Sequence, residues 1–262
     1  MTIPFTKAHG ARNDFLLTWR HSLPEITDMA EAARAICDRH TGAGADGWMI
    51  LARHDTANAA IELWNSDGSR SEISGNGTRC AAAFLVDAGL AGDDVVIATG
   101  AGPKHLRLLE RHGLQFEFEM NMGTPVMEEL QTSFEGFDCT ILNVGNPQCA
   151  FFVDNFAFDW VSLGARIERH SRFPKRTNVS FIRKIDEHAL EVRFFERGAG
   201  ETMSSGTGST GAAAAARARG LVSSPVRIQT PAGPLDVCWQ GEEIHLSGPA
   251  ELVVRGEFLT RT

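Results

Sequence analysis

Ser74-Gly75-Asn76-Gly77 recurs as Ser205-Gly206-Thr207-Gly208, 131 residues further along a chain of 262. That offset is half the chain, and it holds without a gap for thirty residues, from Ser74 to Pro103 against Ser205 to Pro234. Fourteen of those thirty positions are identical, among them both glycines of each turn, Ala81–Ala83 on Ala212–Ala214, Gly89-Leu90 on Gly220-Leu221, and Ala101-Gly102-Pro103 on Ala232-Gly233-Pro234. Unrelated segments would share roughly two, because the commonest residues each make up under about a tenth of a chain. The pattern reads as a duplicated unit, and the two serines are then symmetry-related.

Working outward from the turns, each one opens a helix. The spacing predicts helices over Asn76 to Ala88 and Thr207 to Arg219, closed by Gly89 and Gly220 at the C′ position. Ala81-Ala82-Ala83-Phe84-Leu85-Val86 is apolar nearly all round, so the first of these helices should be buried, and the Ala212–Ala216 run reads the same way. Two further helices are expected, over Thr27 to His40 with Thr27 as N-cap, and over Trp160 to Glu168. The rest reads as strand: the apolar run 47–51, the alternating 60–64, a hairpin of 106–110 and 114–120 about His112-Gly113, then 140–144, 149–153, 179–182, 190–195, 226–230, 235–239 and 243–246. The expected fold is α+β, with two pseudo-symmetric, mostly-β domains, each holding a central buried helix. They are expected at 1–125 and 126–262, the strands over 247–262 returning to the first half.

Composition narrows the partners. Twenty-five Lys and Arg against 33 Asp and Glu leave a net charge of −8, which disfavours nucleic acid and anionic membranes. No stretch approaches the roughly 18 apolar residues of a membrane span, and residues 1–15 lack a signal-peptide core. Five cysteines without a compact spacing argue against a disulfide framework, and a cytoplasmic location is expected. The histidines show no metal-ligand spacing, so no metal is expected. Gly42-Ala43-Gly44-Ala45-Asp46-Gly47 matches a dinucleotide fingerprint in letters, but a helix precedes it and a strand follows, the reverse of what that motif requires.

A Gly-x-Gly turn directly before a helix leaves backbone N–H groups pointing outward, and with the helix dipole they form an anion site. Two such sites could hold one carboxylate, with a side chain on each side of its α-carbon. That arrangement suits removal of a proton from one face and return to the other. Read singly, each serine is an ordinary N-cap.

Longer blocks carry more. Asn13-Asp14-Phe15, Asp38-Arg39 with Gly42-Ala43-Gly44-Ala45-Asp46-Gly47, Asn65-Ser66-Asp67-Gly68-Ser69, Gly75-Asn76-Gly77 with Arg79-Cys80, Gly145-Asn146-Pro147, Thr177-Asn178-Val179, and Glu196-Arg197-Gly198-Ala199-Gly200-Glu201-Thr202 before Gly206-Thr207-Gly208 together resemble the diaminopimelate epimerase family. The resemblance runs nearly the whole chain. It implies a cofactor-independent isomerase of two related domains with the active site in the cleft between them. The reaction implied inverts LL- to meso-diaminopimelate by two-base proton transfer, on the route to lysine and peptidoglycan precursors. It places Ser74 and Ser205 at the two base positions, with Gln148 and Glu196 in support. Asn13, Asn65, Asn146, Asn178, Glu196 and Arg197 are implied at the non-reacting end of the substrate. The backbone of Gly75, Asn76, Gly206 and Thr207 is implied at the reacting carboxylate. A small-molecule amino acid is the expected partner, and a homodimer is allowed.

Four positions depart from the family pattern. Serine stands at 74 and 205 where the family has its catalytic cysteines, Gln148 where a histidine is usual, and Arg12 where a glycine is usual. A thiol titrates near about 8.5 and a hydroxyl far higher, so a serine here needs an adjacent base, which a glutamine cannot be. Two other readings stay open: an isomerase of another small amino or carboxylic acid, and an amino-acid-binding protein without turnover.

Overall fold

The computed structural model describes residues 2–260. The chain divides into two compact units, Met1–Met120 with Gly248–Thr262, and Asn121–Ser247. The fold is α+β and mostly strand.

In the first unit, β1 (Thr2–Gly10) and β2 (Asn13–Trp19) form an antiparallel hairpin. Its turn residues Ala11 and Arg12 have φ of 49° and 62°, the left-handed pair that a two-residue hairpin needs to match strand twist. Then follow α1 (Met29–Cys37), β3 (Gly47–Ala52), β4 (Ala59–Asn65), the two-residue β5 (Arg70–Ser71), α2 (Gly75–Asp87), β6 (Asp94–Thr99), β7 (Gly102–His112) and β8 (Gln115–Gly123). β2 runs parallel to β3, β3 antiparallel to β4, β4 parallel to β6, and β6 antiparallel to β7.

The second unit repeats this succession in β9 (Val126–Phe134), β10 (Phe137–Asn143), β11 (Pro147–Phe152), α3 (Trp160–Glu168), β12 (Asn178–Asp186), β13 (Ala189–Glu196), β14 (Gly200–Thr202), α4 (Gly206–Ala218), β15 (Val226–Thr230), β16 (Gly233–Gln240) and β17 (Glu243–Leu259). β10 pairs antiparallel with β11, β11 parallel with β12, β12 antiparallel with β13, β13 parallel with β15, and β15 antiparallel with β16. The start of β17 pairs with β16, and its later residues pair with β1.

Each long helix is a buried pillar of small residues. Ala81, Ala82, Ala83 and Leu85 of α2 and Ala212 through Ala216 of α4 are all buried. Packing an entire helix surface against strands requires small side chains on every face, and that gives the pattern seen in the sequence. Separate apolar clusters cover the other helices: Ile36, Trp48 and Leu16 under α1, and Phe151, Phe181 and Ile167 under α3.

The structure differs from the expected elements in two places, at the α1 cap and in strands absent from the expected set, and it agrees that 42–47 is no dinucleotide turn. α1 is capped by Asp28, whose side chain accepts from the Glu31 N–H, rather than by Thr27. A carboxylate at this position adds a favourable charge to the helix dipole as well as a hydrogen bond. Residues 42–44 lie against the C-terminal end of α1, with Ala43 and Gly44 both donating to the Ile36 carbonyl, so the dinucleotide-like letters belong to a helix stop. Finally, β1, β2, β6 and β9 and the short β5 and β14 have no counterpart among the expected strands. β9 has no buried residue at all, and β1 is interrupted by Pro4, Lys7 and His9, so neither carries an apolar run to read.

Candidate active site

The first turn is built by β5 handing over to α2. Ser74 is extended (φ −128°, ψ 123°), and its hydroxyl oxygen accepts from the Gly77 N–H at 3.1 Å. Gly77 is fixed by close approach, since a Cβ there would lie 2.0 Å from Met49 Cε. Behind the turn runs a chain of polar side chains. Arg79 Nη2 donates to Asn76 Oδ1 at 2.6 Å, Asn76 Nδ2 to Asn13 Oδ1 at 3.2 Å, and Asn13 Nδ2 to Asp46 Oδ2 at 2.8 Å. Arg39 closes it by bridging Asp14 and Asp46. Burial opposes ionisation of both acids. Hydrogen bonds from Arg39 and Lys7 overcome it at Asp14, whose carboxyl is held below its usual range. At Asp46 burial and the Asp14 charge win, and the carboxyl is raised.

Arg79 is 0 % exposed. Besides Asn76 it donates to the carbonyls of Gly75 and Pro249, both neutral, and burial lowers its guanidinium to about 10. The neighbouring Cys80 is equally buried and its thiol is pushed up to about 12, so it is a core residue and no substitute for Ser74.

The second turn has the same backbone. Ser205 is extended (φ −139°, ψ 122°) and accepts from the Gly208 N–H at 3.1 Å. Here the hydroxyl also has an acceptor for its own proton: Ser205 Oγ donates to Glu196 Oε2 at 2.7 Å. Thr202 Oγ1 donates to the other oxygen, Oε1, at 2.7 Å, which fixes the carboxylate's orientation. Gln148 Nε2 donates to Asn146 Oδ1 at 2.7 Å, and Asn146 Nδ2 to Thr207 Oγ1 at 3.3 Å. The Asn178 side chain donates to the Pro147 carbonyl and accepts from the Arg197 N–H, so it ties the Arg197 backbone to that of Pro147. The Arg197 guanidinium also reaches the Lys175 carbonyl at 3.1 Å.

The expected site residues thus fall into two groups, one per unit. Ser74, Gly75, Asn76 and Asn13 gather at the α2 turn, and Ser205, Gly206, Thr207, Glu196, Asn146 and Gln148 at the α4 turn, with Asn178 and Arg197 in the same unit. Asn65 stands apart from the α2 group, since its amide donates to Ser69 Oγ within its own β-turn. Gln148 forms no proton-accepting pair with either serine: its amide nitrogen serves Asn146, and its Oε1 is buried. The sequence left Arg79 and the Asp14–Arg39–Asp46 cluster without roles. Arg79 carried one usable signal, an arginine inside a helix otherwise read as buried.

The sequence profile of the diaminopimelate epimerase family matches residues 5–128 and 140–253. A diaminopimelate epimerase of Pelotomaculum thermopropionicum is 36% identical over 280 residues, covering 98% of this chain and 99% of that one. One from Teredinibacter turnerae is 36% identical over 278 residues with the same coverage. The chain belongs to the diaminopimelate epimerase family. A solved hydroxyproline epimerase from Agrobacterium vitis, with bound trans-4-OH-L-proline, superposes with a TM-score of 0.78 over 98% of this chain and 92% of that one. At 17% identity that likeness shows the fold alone. Within the diaminopimelate epimerase family frame, the departure at Arg12 sits at a left-handed position (φ 62°), where a glycine would be unstrained. No helix among the described residues is long and apolar enough to cross a membrane.

Proposed function

We propose that this chain is an isomerase that inverts the α-carbon of diaminopimelate by two-base proton transfer without a cofactor, with Ser205 and Ser74 as the proton-carrying groups. The hydrogen bond from Ser205 Oγ to Glu196 Oε2 carries this reading. A hydroxyl is a poor base alone, and an adjacent carboxylate is what activates it. As Ser205 Oγ takes the α-proton, its own proton passes to Glu196, so no free alkoxide forms. In the reverse direction Glu196 returns a proton and Ser205 protonates the carbon. Positioned acid–base groups of this kind contribute about 10²–10⁴-fold. The N–H groups of Gly75, Asn76, Gly206 and Thr207 take the carboxylate on which negative charge accumulates, an electrostatic effect of several kcal/mol. Asn13, Asn65, Asn146, Asn178 and Arg197 hold the polar groups of the other end, Arg197 by the two-pronged grip of a guanidinium on a carboxylate.

The test is deuterium incorporation at Cα of LL-diaminopimelate in D₂O, followed by proton NMR. Exchange that disappears in Ser205→Ala and in Glu196→Gln is expected. A folded sample that exchanges nothing removes the isomerase reading for this substrate. One observation favours a second reading, an amino-acid-binding protein: the Ser74 hydroxyl accepts from Gly77 but has no hydrogen-bond acceptor for its own proton among the described residues. Saturable calorimetric binding of diaminopimelate with no exchange would select it.

A further inference from the structure

The α2 turn contains a buried cation that the proton-transfer scheme does not use. Arg79 is wholly enclosed, and among the described residues its hydrogen-bond acceptors are Asn76 Oδ1 and the carbonyls of Gly75 and Pro249, none of them a carboxylate. Glu117 is the carboxylate that acts on it electrostatically, and a buried charge compensated only in this way is expensive, so a structure retains one where a further anion completes it. The guanidinium acts outward along two routes. It donates to the Gly75 carbonyl at 3.4 Å, and that carbonyl belongs to the same peptide unit as the Asn76 N–H, so the donated bond polarises an N–H of the turn. It also donates to Asn76 Oδ1, and since arginine only donates, that amide oxygen is turned inward. At the far end Asp46 Oδ2 accepts from Asn13, so the sense of both amides is pinned from each end. The lone pairs that would repel a bound anion are thereby directed into the protein. At the corresponding position 131 residues on, Thr210 donates to the Gly206 carbonyl at 2.9 Å and carries no charge.

We infer that Arg79 is a positioning residue that makes the α2 turn the principal carboxylate subsite, polarising its N–H groups without touching the ligand. This rests on the carboxylate-binding role assigned to the turns above, and deepens it by making α2 the stronger of the two anion sites while Ser74 and Ser205 keep their proton roles.

The experiment uses ¹⁵N-labelled full-length protein titrated with sodium acetate at constant ionic strength, following the amides of Gly75, Asn76 and Gly77 and of Gly206, Thr207 and Gly208. The expected result is saturable shifts at the α2 turn, with an apparent Kd at least about tenfold lower than at the α4 turn, the scale of one charge-assisted hydrogen bond. Arg79→Gln, which keeps a donor for Asn76 and removes the charge, should weaken acetate at the α2 turn by about tenfold or more. Arg79→Lys should stay within about threefold of the parent, a split that loss of packing alone would not produce. Equal affinity at the two turns of the parent protein overturns the inference even if the glutamine variant does not fold. So does an unchanged Kd in a folded glutamine variant, or an equal loss in both variants. If acetate behaves as expected while diaminopimelate exchanges no α-proton, the catalytic reading fails and this one stands.

Discussion

Position 65 in the first unit is an asparagine, and its counterpart at 196 is a glutamate; position 79 is an arginine, and its counterpart at 210 a threonine. The two turns share an extended serine cap and the same 3.1 Å capping hydrogen bond, yet these two exchanges surround them with different charges. Glu196 serves Ser205, whereas Asn65 serves its own β-turn. The contact between turn and helix even reverses its sense. Asn76 of α2 donates to Asn13, while in the second unit Asn146 donates to Thr207 of α4. Arg79 is the cause, because it claims the oxygen of Asn76 and leaves only its nitrogen to reach Asn13. The lesson is that a repeated backbone supplies a pair of alike helix starts, and side chains one layer behind it give each turn its own charges and hydrogen-bond partners.

The largest effect that can break this comparison lies at Glu196. Glu196→Gln is expected to lower α-proton exchange by about 10²–10⁴-fold with the chain still folded, while Asn65→Ala changes it far less. Equal losses would mean the two positions are not differentiated. Next comes Ser74→Cys, which gives the turn lacking a carboxylate a group that titrates near about 8.5. Inversion should rise by about tenfold or more, with the gain growing as pH rises toward that value, as read from initial rates across a pH series. A flat profile would argue that Ser74 moves no proton.

A smaller effect tests what the turns have in common. Ser74→Ala and Ser205→Ala should each cost about 1 kcal/mol in denaturant unfolding, because both hydroxyls cap a helix in the same way. A markedly larger cost at Ser205 would show that the Glu196 contact is structural as well. The smallest concerns the turns that cover the two caps. Arg12 (φ 62°) occupies a left-handed position, and Gly145 (φ 96°) occupies the matching place before Asn146. Arg12→Gly should therefore stabilise by roughly 0.5–1 kcal/mol, strain relief being partly offset by glycine's greater freedom when unfolded. Melting followed by circular dichroism would detect it, and a loss of stability would mean that Arg12 makes a compensating contact.

Much of this was legible before any coordinates. The Gly-x-Gly turns, the small-residue helices and the offset of 131 marked where each unit begins its central helix, because a buried helix and a tight turn both leave compositional traces. The sites were legible as blocks but not as pairs. Nothing in the letters distinguishes Asn65, which bonds within its own turn, from Asn13, which joins a chain of amides to a buried arginine. Strands β1 and β9 were silent because they are held by ladder hydrogen bonds, β9 to β10 and β1 to β2 and to the distant β17, rather than by an apolar run.

By itself, the sequence determined the repeat, the family, the two capped helices and the identity of the groups at the base positions, since all of these depend on local spacing and residue type. Only the tertiary structure decided that Ser205 has a carboxylate for its proton, that Arg79 is buried beneath the other turn, and which way each amide faces. Those are matters of three-dimensional proximity and of donor set against acceptor, to which the order of residues along the chain is blind.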